Sequence, residues 1–377
     1  AQLYGLVPAQ DHGVRAVAVV NGASYASDSI TLTAGAPPMG LPALTTGGDE
    51  VGDGEDDGGY LLTSIVSIPS AAVVMDTRGN YVWWYESQVE GAFITRAHMS
   101  QAGDSVVMLS WDSAPDAPES SVSRIMEVGF DGQVIREVSV PGAHHDFLEL
   151  PDGTLAVIVE DVRMEGALEV IGDAILEIAP DGTETEIWSA WDHIHFSLPP
   201  GHPDPTFDWT HANAIDYDEE RDVYHLSLYR MASIVEVDRA SGALNWTLGG
   251  PESDFLSPTD GSFIFDGNHQ FQVLGDRVLA FENGTEITDN SRAVELKLDH
   301  DQGTAEEVWS YTSDPPLLSF TLGDVSRMVG GHTLVTWATC GRIDRVTPEG
   351  ELAWSVSGAL GGGFGYTTWF ADWPEGT

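Results

Sequence analysis

Six segments of this chain repeat one pattern: a strand of alternating apolar residues, a turn that contains glycine, and a second strand. They occupy residues 72–87, 123–139, 174–190, 233–249, 293–311 and 341–357. Their starts are separated by 51, 51, 59, 60 and 48 residues. A period of about 50 residues is typical of the blades of kelch-like β-propellers. The six hairpins therefore predict an all-β fold built around a six-bladed propeller.

A second repeat, made of a strand, a turn and another strand, lies between successive hairpins. It is found at residues 96–110, 144–160, 211–229, 268–282 and 324–338. One copy of each repeat makes a four-stranded blade. Five hairpins also end their second strand on a large aromatic residue, which we expect to pack between neighbouring blades. These residues are Trp84, Trp188, Trp246, Trp309 and Trp354.

The first blade lacks one strand in this count, because its hairpin is preceded only by YLLTSIV at 60–66. The remaining stretch with strand character is FGYTTWFADW at 364–373, which carries the aromatic and β-branched residues that favour strands. We therefore expect the C-terminal segment to insert as the innermost strand of the first blade. This insertion would close the ring and cover the edge of an incomplete blade.

The N-terminal part of the chain does not share the repeat. Residues 1–36 look like the last three strands of a fibronectin type III sandwich, with an alternating VRAVAVV strand and an Asn-Gly turn. Residues 37–59 are rich in Gly, Asp and Glu and are predicted to form a solvated linker. The propeller is then assigned to 60–377. The strand edges in 1–36 require a cover, for which the alternatives are an upstream segment, packing on the propeller or a strand of another chain; the last of these would give self-association through this segment.

The acidic run in the linker has an alternative interpretation as a calcium site. Asp53, Asp56 and Asp57, together with Asp49 and Glu55, carry the hard oxygen ligands that calcium prefers. Their spacing matches no EF-hand loop, so the solvated linker is the favoured interpretation. We expect no other cofactor.

The charge of the chain excludes several classes of partner. Sixty Asp and Glu stand against 15 Lys and Arg, giving a formal net charge of -45. Such a surface repels nucleic acid and anionic membranes, and no apolar run reaches the roughly 18 residues needed to span a bilayer. Extreme acidity with Lys297 as the only lysine predicts an exported protein, whether periplasmic, cell-surface or extracellular. Cys340 is the only cysteine, which excludes zinc and haem sites built on several cysteines.

Three histidines occupy the same position in the second repeat. His145, His211 and His269 each precede an aspartate of the following turn by seven residues, and His98 is one step out of this register. Because the innermost strands of a propeller line its central channel, residues at equal register lie at equal depth. The sequence therefore predicts that these imidazoles converge near the axis.

Converging imidazoles suit two kinds of chemistry. One is the binding of a soft or borderline divalent metal ion. The other is nucleophilic and acid–base catalysis, in which one imidazole attacks and its neighbours supply protons or hydrogen bonds. Asp324 occupies the matching register of the last inner strand. The sequence contains no phosphate loop, nucleophile elbow or dinucleotide fingerprint.

Three segments resemble one known family. Asp-Trp-x-His-x-Asn at 208–213 is similar to the core signature of the bacterial arylsulfotransferases that use no nucleotide sulfate donor. HHDFLELPDGTLAV at 144–157 and NHQFQVLGDRVLAFENG at 268–284 resemble the other two histidine segments of that family. The resemblance covers about 60–377, is strongest from 144 to 311, and implies a six-bladed propeller.

The resemblance implies a role for each matching residue. His269 would be the nucleophile and would form a sulfohistidine intermediate, while His211 and Asn213 would bind the sulfuryl oxygens and assist the phenol leaving group. His145, or alternatively His144, would line the same pocket. The enzyme would move a sulfuryl group between small phenolic donors and acceptors by a ping-pong route without a cofactor.

One position departs from the family pattern. The family has an arginine on the strand after the His-x-Asn motif, where this chain has Tyr229, with Arg230 one residue further on. A one-residue shift reverses the face of a strand, so either a local bulge returns Arg230 to the channel or the anion-binding charge is missing there. The candidate substrate-binding residues are His144, His98, Arg230 and Tyr229. The alternative function is a non-catalytic exported propeller that binds partners or assembles with itself.

Overall fold

β-Strands dominate the computed structural model. The structure describes residues 3, 5–38, 40–48, 59–67, 69–88, 91–112, 123–197, 205–262, 265–284, 288–359 and 361–373. Helix in these residues is limited to α1 (Ala190–His193) and two 3₁₀ turns at Tyr229–Met231 and Ala338–Cys340. No helix of the described ranges is long and apolar enough to cross a membrane.

The N-terminal segment forms four short strands outside the propeller. They are β1 (Asp11–Val14), β2 (Val17–Val20), β3 (Ala23–Ala26) and β4 (Ile30–Thr33). β1 pairs with β4 and β2 pairs with β3, in two separate antiparallel ladders, and every side chain of β2, β3 and β4 is exposed. The likeness to a fibronectin type III sandwich stays a prediction. One further strand, β5 (Leu44–Gly47), lies in the predicted linker.

Six antiparallel sheets form the blades of the propeller. The first blade contains β6 (Tyr60–Val66), β7 (Ala71–Asp76) and β8 (Tyr81–Glu86). The second contains β9 (Ala92–Met99), β10 (Ser105–Asp112), β11 (Arg124–Gly129) and β12 (Val134–Ser139). The third contains β13 (Ala143–Glu149), β14 (Leu155–Glu165), β15 (Leu168–Ile178) and β16 (Glu184–Ser189). A short strand, β17 (Thr206–Asp208), pairs in parallel with β15 at the side of the third blade.

The remaining blades follow the same order. The fourth blade contains β18 (Ala212–Asp218), β19 (Val223–Leu228), β20 (Ser233–Asp238) and β21 (Leu244–Gly249). The fifth contains β22 (Asn268–Leu274), β23 (Arg277–Glu282), β24 (Arg292–Asp299) and β25 (Thr304–Tyr311). The sixth contains β26 (Asp324–Arg327), β27 (Thr333–Trp337), β28 (Arg342–Val346) and β29 (Leu352–Gly358). The innermost strands β9, β13, β18, β22 and β26 contact one another in sequence around the channel. These blades confirm the predicted six-bladed propeller.

The C-terminal segment completes the first blade. β30 (Gly363–Phe364) and β31 (Thr368–Phe370) both pair antiparallel with β6, on the side opposite β7. Gly365, between them, passes so close to β6 that a Cβ atom there would lie 2.0 Å from Ser64 Oγ. Only glycine fits this approach. The predicted closure of the ring by the C-terminal strand is confirmed.

The predicted linker contains an element that its composition did not indicate. β5 pairs with β29 and becomes a fifth, outer strand of the sixth blade. Gly and acid content argued for solvation over 37–59, but the LTTG stretch carries Leu44 and Thr residues that fit an edge strand. The proposed calcium ligands Asp53, Asp56 and Asp57, with Asp49 and Glu55, lie outside the described residues.

The hydrophobic core is divided among the spaces between neighbouring blades. Trp188 packs between the third and fourth blades, Trp246 between the fourth and fifth, and Trp354 between the sixth and first. Trp84 is partly buried against the cluster that contains Trp354, and Trp309 is partly buried against a further cluster between the fifth and sixth blades. The tryptophans that end the hairpins therefore act as core residues, as the repeat predicted.

Candidate active site

The three histidines of equal register lie at irregularities in the innermost strands. The register of β13 against β14 shifts between Ala143 and Phe147, an interval that contains His145. That of β22 against β23 shifts between Asn268 and Phe271, which contains His269, and that of β18 against β19 shifts at Asn213, two residues after His211. His145 and His211 also have left-handed backbone conformations, with φ of 56° and 50°. Such conformations cost free energy in residues other than glycine. β-Bulges redirect side chains, and here they turn the imidazoles towards one another.

Ring contacts join these histidines into one cluster. The ring centroids of His145 and His211 are 4.9 Å apart, and the ring of Tyr229 lies 5.7 Å from that of His211 and 5.2 Å from that of His269. Trp111 packs against the other side of His145 at 5.0 Å. The structure therefore brings together His145, His211 and His269, with Tyr229 between the last two.

The surroundings of His269 fix which of its nitrogens carries the proton. Asn283 donates its amide hydrogens to the carbonyl oxygens of Ser319 and Leu322, so its Oδ1 must face His269 Nδ1, 2.6 Å away. Nδ1 therefore carries hydrogen and Nε2 carries the lone pair, which accepts the N–H of Leu322 at 3.1 Å. Burial lowers the pKa of His269 to about 3. The imidazole is thus neutral at ordinary pH.

His144 and His145 face each other through their Nδ1 atoms, with one hydrogen between them. Their Nδ1 atoms are 2.7 Å apart, and His144 Nε2 forms an ion pair of 2.9 Å with Asp173 Oδ1. Burial alone would lower the pKa of His144, but contact with Asp173 and the charges of Glu160 and Asp208 outweigh it and raise the pKa.

The pKa of His145 moves in the opposite direction. Burial, and then the neighbouring His144, His211 and His269, hold it well below its usual range. The proton between the two Nδ1 atoms therefore belongs to His144. A neutral His145 that accepts at Nδ1 must carry its own hydrogen on Nε2.

His211 is held by a carboxylate from its own motif. Its Nδ1 lies 2.6 Å from Asp208 Oδ2, so Nδ1–H donates and Nε2 is left without a hydrogen in the neutral ring. Burial would raise the pKa of Asp208, but the hydrogen bond from His211 and the charges of His211 and Arg230 lower it. The His211–Asp208 pair has the arrangement of a general acid–base group oriented by a carboxylate.

Arg230 lies beside this pair and not on a strand. β19 ends at Leu228, and Tyr229–Met231 form a 3₁₀ turn, so the alternation of faces assumed for a strand does not apply. Arg230 Nε is 3.7 Å from Asp208 Oδ2, and its side chain is 56% exposed. It lines a pocket of about 410 Å³ together with Phe207 and Asp208. A positive charge is therefore present next to His211.

Asn213 and His98 differ in their relation to the cluster. Asn213 is fully buried, donates to the carbonyl of Asn268 at 2.9 Å, and leaves its Oδ1 without a partner in the described residues. His98 packs its ring 4.7 Å from that of Phe147, and its Nδ1 lies 3.0 Å from the carbonyl oxygen of Met99. Burial lowers the pKa of His98 to about 4. The described contacts do not connect His98 to the other histidines.

Sequence reasoning missed the side chains that orient the imidazoles. Asp208 lies inside the Asp-Trp-x-His-x-Asn motif and Asn283 lies in the FENG stretch of the third segment, but neither residue type by itself indicates its role. Asp173, on β15, carries no local signal at all. Besides the ion pair, its Oδ2 accepts from Thr210 Oγ1 at 2.5 Å and from the N–H of Ala212 at 2.7 Å. In the part of the chain that the structure describes, no group of three or more His, Cys, Asp or Glu is placed to hold a metal ion.

Comparison with known proteins supplies a family and a fold. Residues 51–353 match the profile of the family described as Arylsulfotransferase (ASST). No curated protein sequence matches the chain.

Two solved structures share the fold at low sequence identity. A Bacteroides caccae protein of unknown function has 13% identity and a TM-score of 0.54, over 84% of this chain and 100% of that one. The periplasmic gluconolactonase of Pseudomonas aeruginosa has 13% identity and a TM-score of 0.50, over 83% and 99%. At this identity the two structures show likeness of fold alone.

Proposed function

This chain belongs to the arylsulfotransferase family, and we propose that it transfers a sulfuryl group from a phenolic sulfate ester to a phenol through a sulfated His269. The observation that carries the proposal is the tautomer of His269. Asn283 holds the hydrogen on Nδ1, so the lone pair of a neutral, buried imidazole stands on Nε2. A neutral imidazole with a directed lone pair is the form of histidine that acts as a nucleophile.

In the first half-reaction, His269 Nε2 attacks the sulfur of the ester. The new N–S bond uses the Nε2 lone pair, and the electron pair of the broken S–O bond leaves on the phenolate oxygen. The Nδ1–H of the sulfated ring keeps its hydrogen bond to Asn283 Oδ1, which stabilises the positive charge that the ring acquires. The N–H of Leu322 must leave Nε2 before the attack, at a cost of about 1 kcal/mol for one hydrogen bond.

The His211–Asp208 pair handles the protons of both half-reactions. Protonated at Nε2, His211 gives a proton to the departing phenolate. It is then neutral and takes the proton of the acceptor phenol as that oxygen attacks the sulfur of sulfohistidine. Asp208 keeps Nδ1–H in place throughout. The exchange balances without a cofactor, because one phenol leaves as the other is sulfated.

Two positive groups support binding of the anionic ester in this acidic protein. Arg230 lines the pocket next to Asp208, and His144 carries a proton held by Asp173. Because His145 accepts at Nδ1 from the protonated His144, a neutral His145 carries its hydrogen on Nε2, where it is a hydrogen-bond donor. We propose that His144 is a positioning residue that fixes His145 as a hydrogen-bond donor to the sulfuryl oxygens or to the leaving oxygen.

Replacing His144 with glutamine should lower kcat by about tenfold or more and change KM less. The reason is that the variant lacks the positive charge of His144, which in the wild type stabilises the transition state. In the wild type, kcat should fall as the pH rises through the raised pKa of His144, where its proton is lost. His269 gains a proton only near pH 3, so protonation of the nucleophile should not lower kcat at higher pH. Kinetics across pH, with ¹⁵N NMR of the histidine rings, measure both effects.

The exposed His193 provides a control for the histidine substitution. His193→Gln should leave kcat unchanged. NMR spectra in which His144 titrates at or below the ordinary histidine value, or an unchanged kcat in His144→Gln, would contradict the positioning role. The NMR result does not depend on whether a suitable substrate has been found.

The proposed activity is tested by incubating the protein with nitrophenyl sulfate and phenol. We expect release of nitrophenol, formation of phenyl sulfate, and a protein species heavier by one SO₃ group in intact-mass spectra. Absence of all three with several aryl sulfates would reject the enzymatic function and leave the non-catalytic propeller as the alternative. The strongly acidic composition supports the further proposal that the protein is exported.

Self-association is expected to involve the N-terminal strands. Val17, Val19, Val20, Tyr25 and Ile30 are all more than half exposed, and such an apolar surface favours contact with another molecule. We expect light scattering of the full chain to show a mass that rises with concentration, and a chain without residues 1–36 to stay monomeric. A monomeric full chain at every concentration would contradict this expectation.

A further inference from the structure

The central channel contains a second cavity, beyond the histidine cluster. It has a volume of about 670 Å³ and is lined from the innermost strands of all six blades, including Arg96, Leu148, Asp216, Gln270, Asp324 and Trp369. The histidines lie at the beginnings of these strands, whereas most of the lining residues come from their later parts. None of the clustered histidines lines this cavity. Its volume falls within the range of about 300–1,000 Å³ found for small-molecule sites.

The floor of the cavity separates it from the candidate active site. Arg96 forms an ion pair of 3.2 Å with the fully buried Asp146, which also accepts hydrogen bonds from Gln270 Nε2 at 3.1 Å and from the N–H of Ile215 at 3.2 Å. Asp146 directly follows His145 in the chain. This buried polar layer spans four blades, so the two ends of the channel are distinct compartments.

The floor carries one more negative charge than positive charge. Asp324 is 3% exposed and accepts the N–H of Thr367 at 2.6 Å, and no ion pair of the described residues includes it. Arg96 is the cation near it, and that guanidinium is already paired with Asp146. Arg327, on the same strand as Asp324, is bound to Glu295. A buried carboxylate without a cation is unfavourable unless a proton or a positive ligand joins it.

The walls of the cavity are largely apolar. Leu148, Phe271, Val325, Trp369 and Phe370 supply them. Aromatic faces attract cations as well as apolar groups. A ligand that matches this cavity therefore has a positive end for the floor and an apolar body for the walls.

We propose that this cavity binds an organic ammonium ion, a protonated primary amine with an aromatic or branched apolar body, whose nitrogen pairs with Asp324. The net charge of -45 draws such cations towards the protein. The same charge repels anions, so the ligand of this cavity differs in charge from an aryl sulfate. The site stands on its own geometry and does not depend on sulfuryl transfer.

Binding should depend on pH through Asp324. Burial raises the pKa of this carboxyl to about 6, with Arg96 lowering it and Asp146 raising it. Arg327, Asp216 and Tyr366 are further titratable groups near this cavity. Arg327 is paired with Glu295, and burial raises the pKa of Tyr366 well above its usual range, so it stays neutral. Above about pH 6 Asp324 is charged and pairs with the ammonium. Below that pH it gains a proton, and affinity should fall.

Calorimetric titration with phenethylamine tests the proposal. We expect saturable binding to the wild type at pH 8, at least about tenfold weaker binding at pH 5, and at least about tenfold weaker binding of the neutral analogue phenethyl alcohol. Asp324→Asn should weaken amine binding by a similar factor. The control Asp301→Asn removes the same charge from an exposed position and should leave binding unchanged.

A second variant tests the cavity without changing Asp324, in case Asp324→Asn does not fold. Ser326→Leu fills the cavity from a partly exposed lining residue without altering any charge and should abolish amine binding while the melting temperature is retained. The proposal is overturned if phenethylamine shows no binding up to millimolar concentration. It is also overturned if the alcohol binds as well as the amine, or if Ser326→Leu binds like the wild type.

Discussion

His269→Ala should lose sulfuryl transfer by at least about a thousandfold and should show no sulfated protein in intact-mass spectra. The reason is that Asn283 fixes the lone pair of the buried, neutral His269 on Nε2, whereas His211, which also carries a lone pair on Nε2 when neutral, is needed as the proton donor and acceptor. His145 has its Nδ1 committed to His144, and His211 has its Nδ1 committed to Asp208. Neither can replace His269 without losing its own role.

The other variants of the site should separate the two half-reactions. His211→Ala should still form sulfohistidine from nitrophenyl sulfate, because nitrophenolate leaves without a proton, but transfer to phenol should slow by about 10²–10⁴-fold. Asn213→Ala should slow both steps, because it removes the hydrogen bond from Asn213 Nδ2 to the carbonyl of Asn268, the residue that precedes His269.

The control for these variants is His193→Ala, which removes an exposed histidine and should behave like the wild type. Rapid-quench measurement of the sulfated protein and steady-state assay of phenyl sulfate distinguish the steps. A fully active His269→Ala enzyme would reject the assignment of the nucleophile.

The strands and the ring could be predicted because they leave a periodic trace in the sequence. The glycine turns mark each hairpin, and counting the inner repeats identified 364–373 as the missing strand. The convergence of His145, His211 and His269 followed from the same alignment, since equal register means equal depth in a propeller.

The roles of the residues that set protonation could not be predicted, because these contacts leave no periodic trace in the sequence. Asp173 meets His144 across the third blade, and Asn283 is positioned by the carbonyl oxygens of Ser319 and Leu322 from a distant loop. Such contacts depend on tertiary packing. The position of Arg230 was also hidden, because the strand preceding it ends in a 3₁₀ turn that breaks the alternation of faces.

The closure of the ring leads to the second large expected effect, on stability. Phe364→Ala should lower the free energy of unfolding by about 3–5 kcal/mol, and deletion of 362–377 should prevent stable folding. Phe364 is fully buried in the cluster between the sixth and first blades, with Leu61 and Trp354. Its neighbour Tyr366 is 1% exposed and donates to the carbonyl of Asn213 in the fourth blade. The segment therefore ties the last part of the chain to the first blade and across the channel.

Phe320→Ala is the matched control, since it removes the same side chain from a position that is 62% exposed. It should change the free energy of unfolding by less than about 0.5 kcal/mol. Chemical denaturation of the three proteins, followed by tryptophan fluorescence, measures the differences. If closure holds the ring together, Phe364→Ala should also increase proteolysis within the first and sixth blades before global unfolding, because those blades lose their shared core first. Equal stability of Phe364→Ala and Phe320→Ala would mean that the ring is held by the interblade cores alone and that the C-terminal strand only covers an edge.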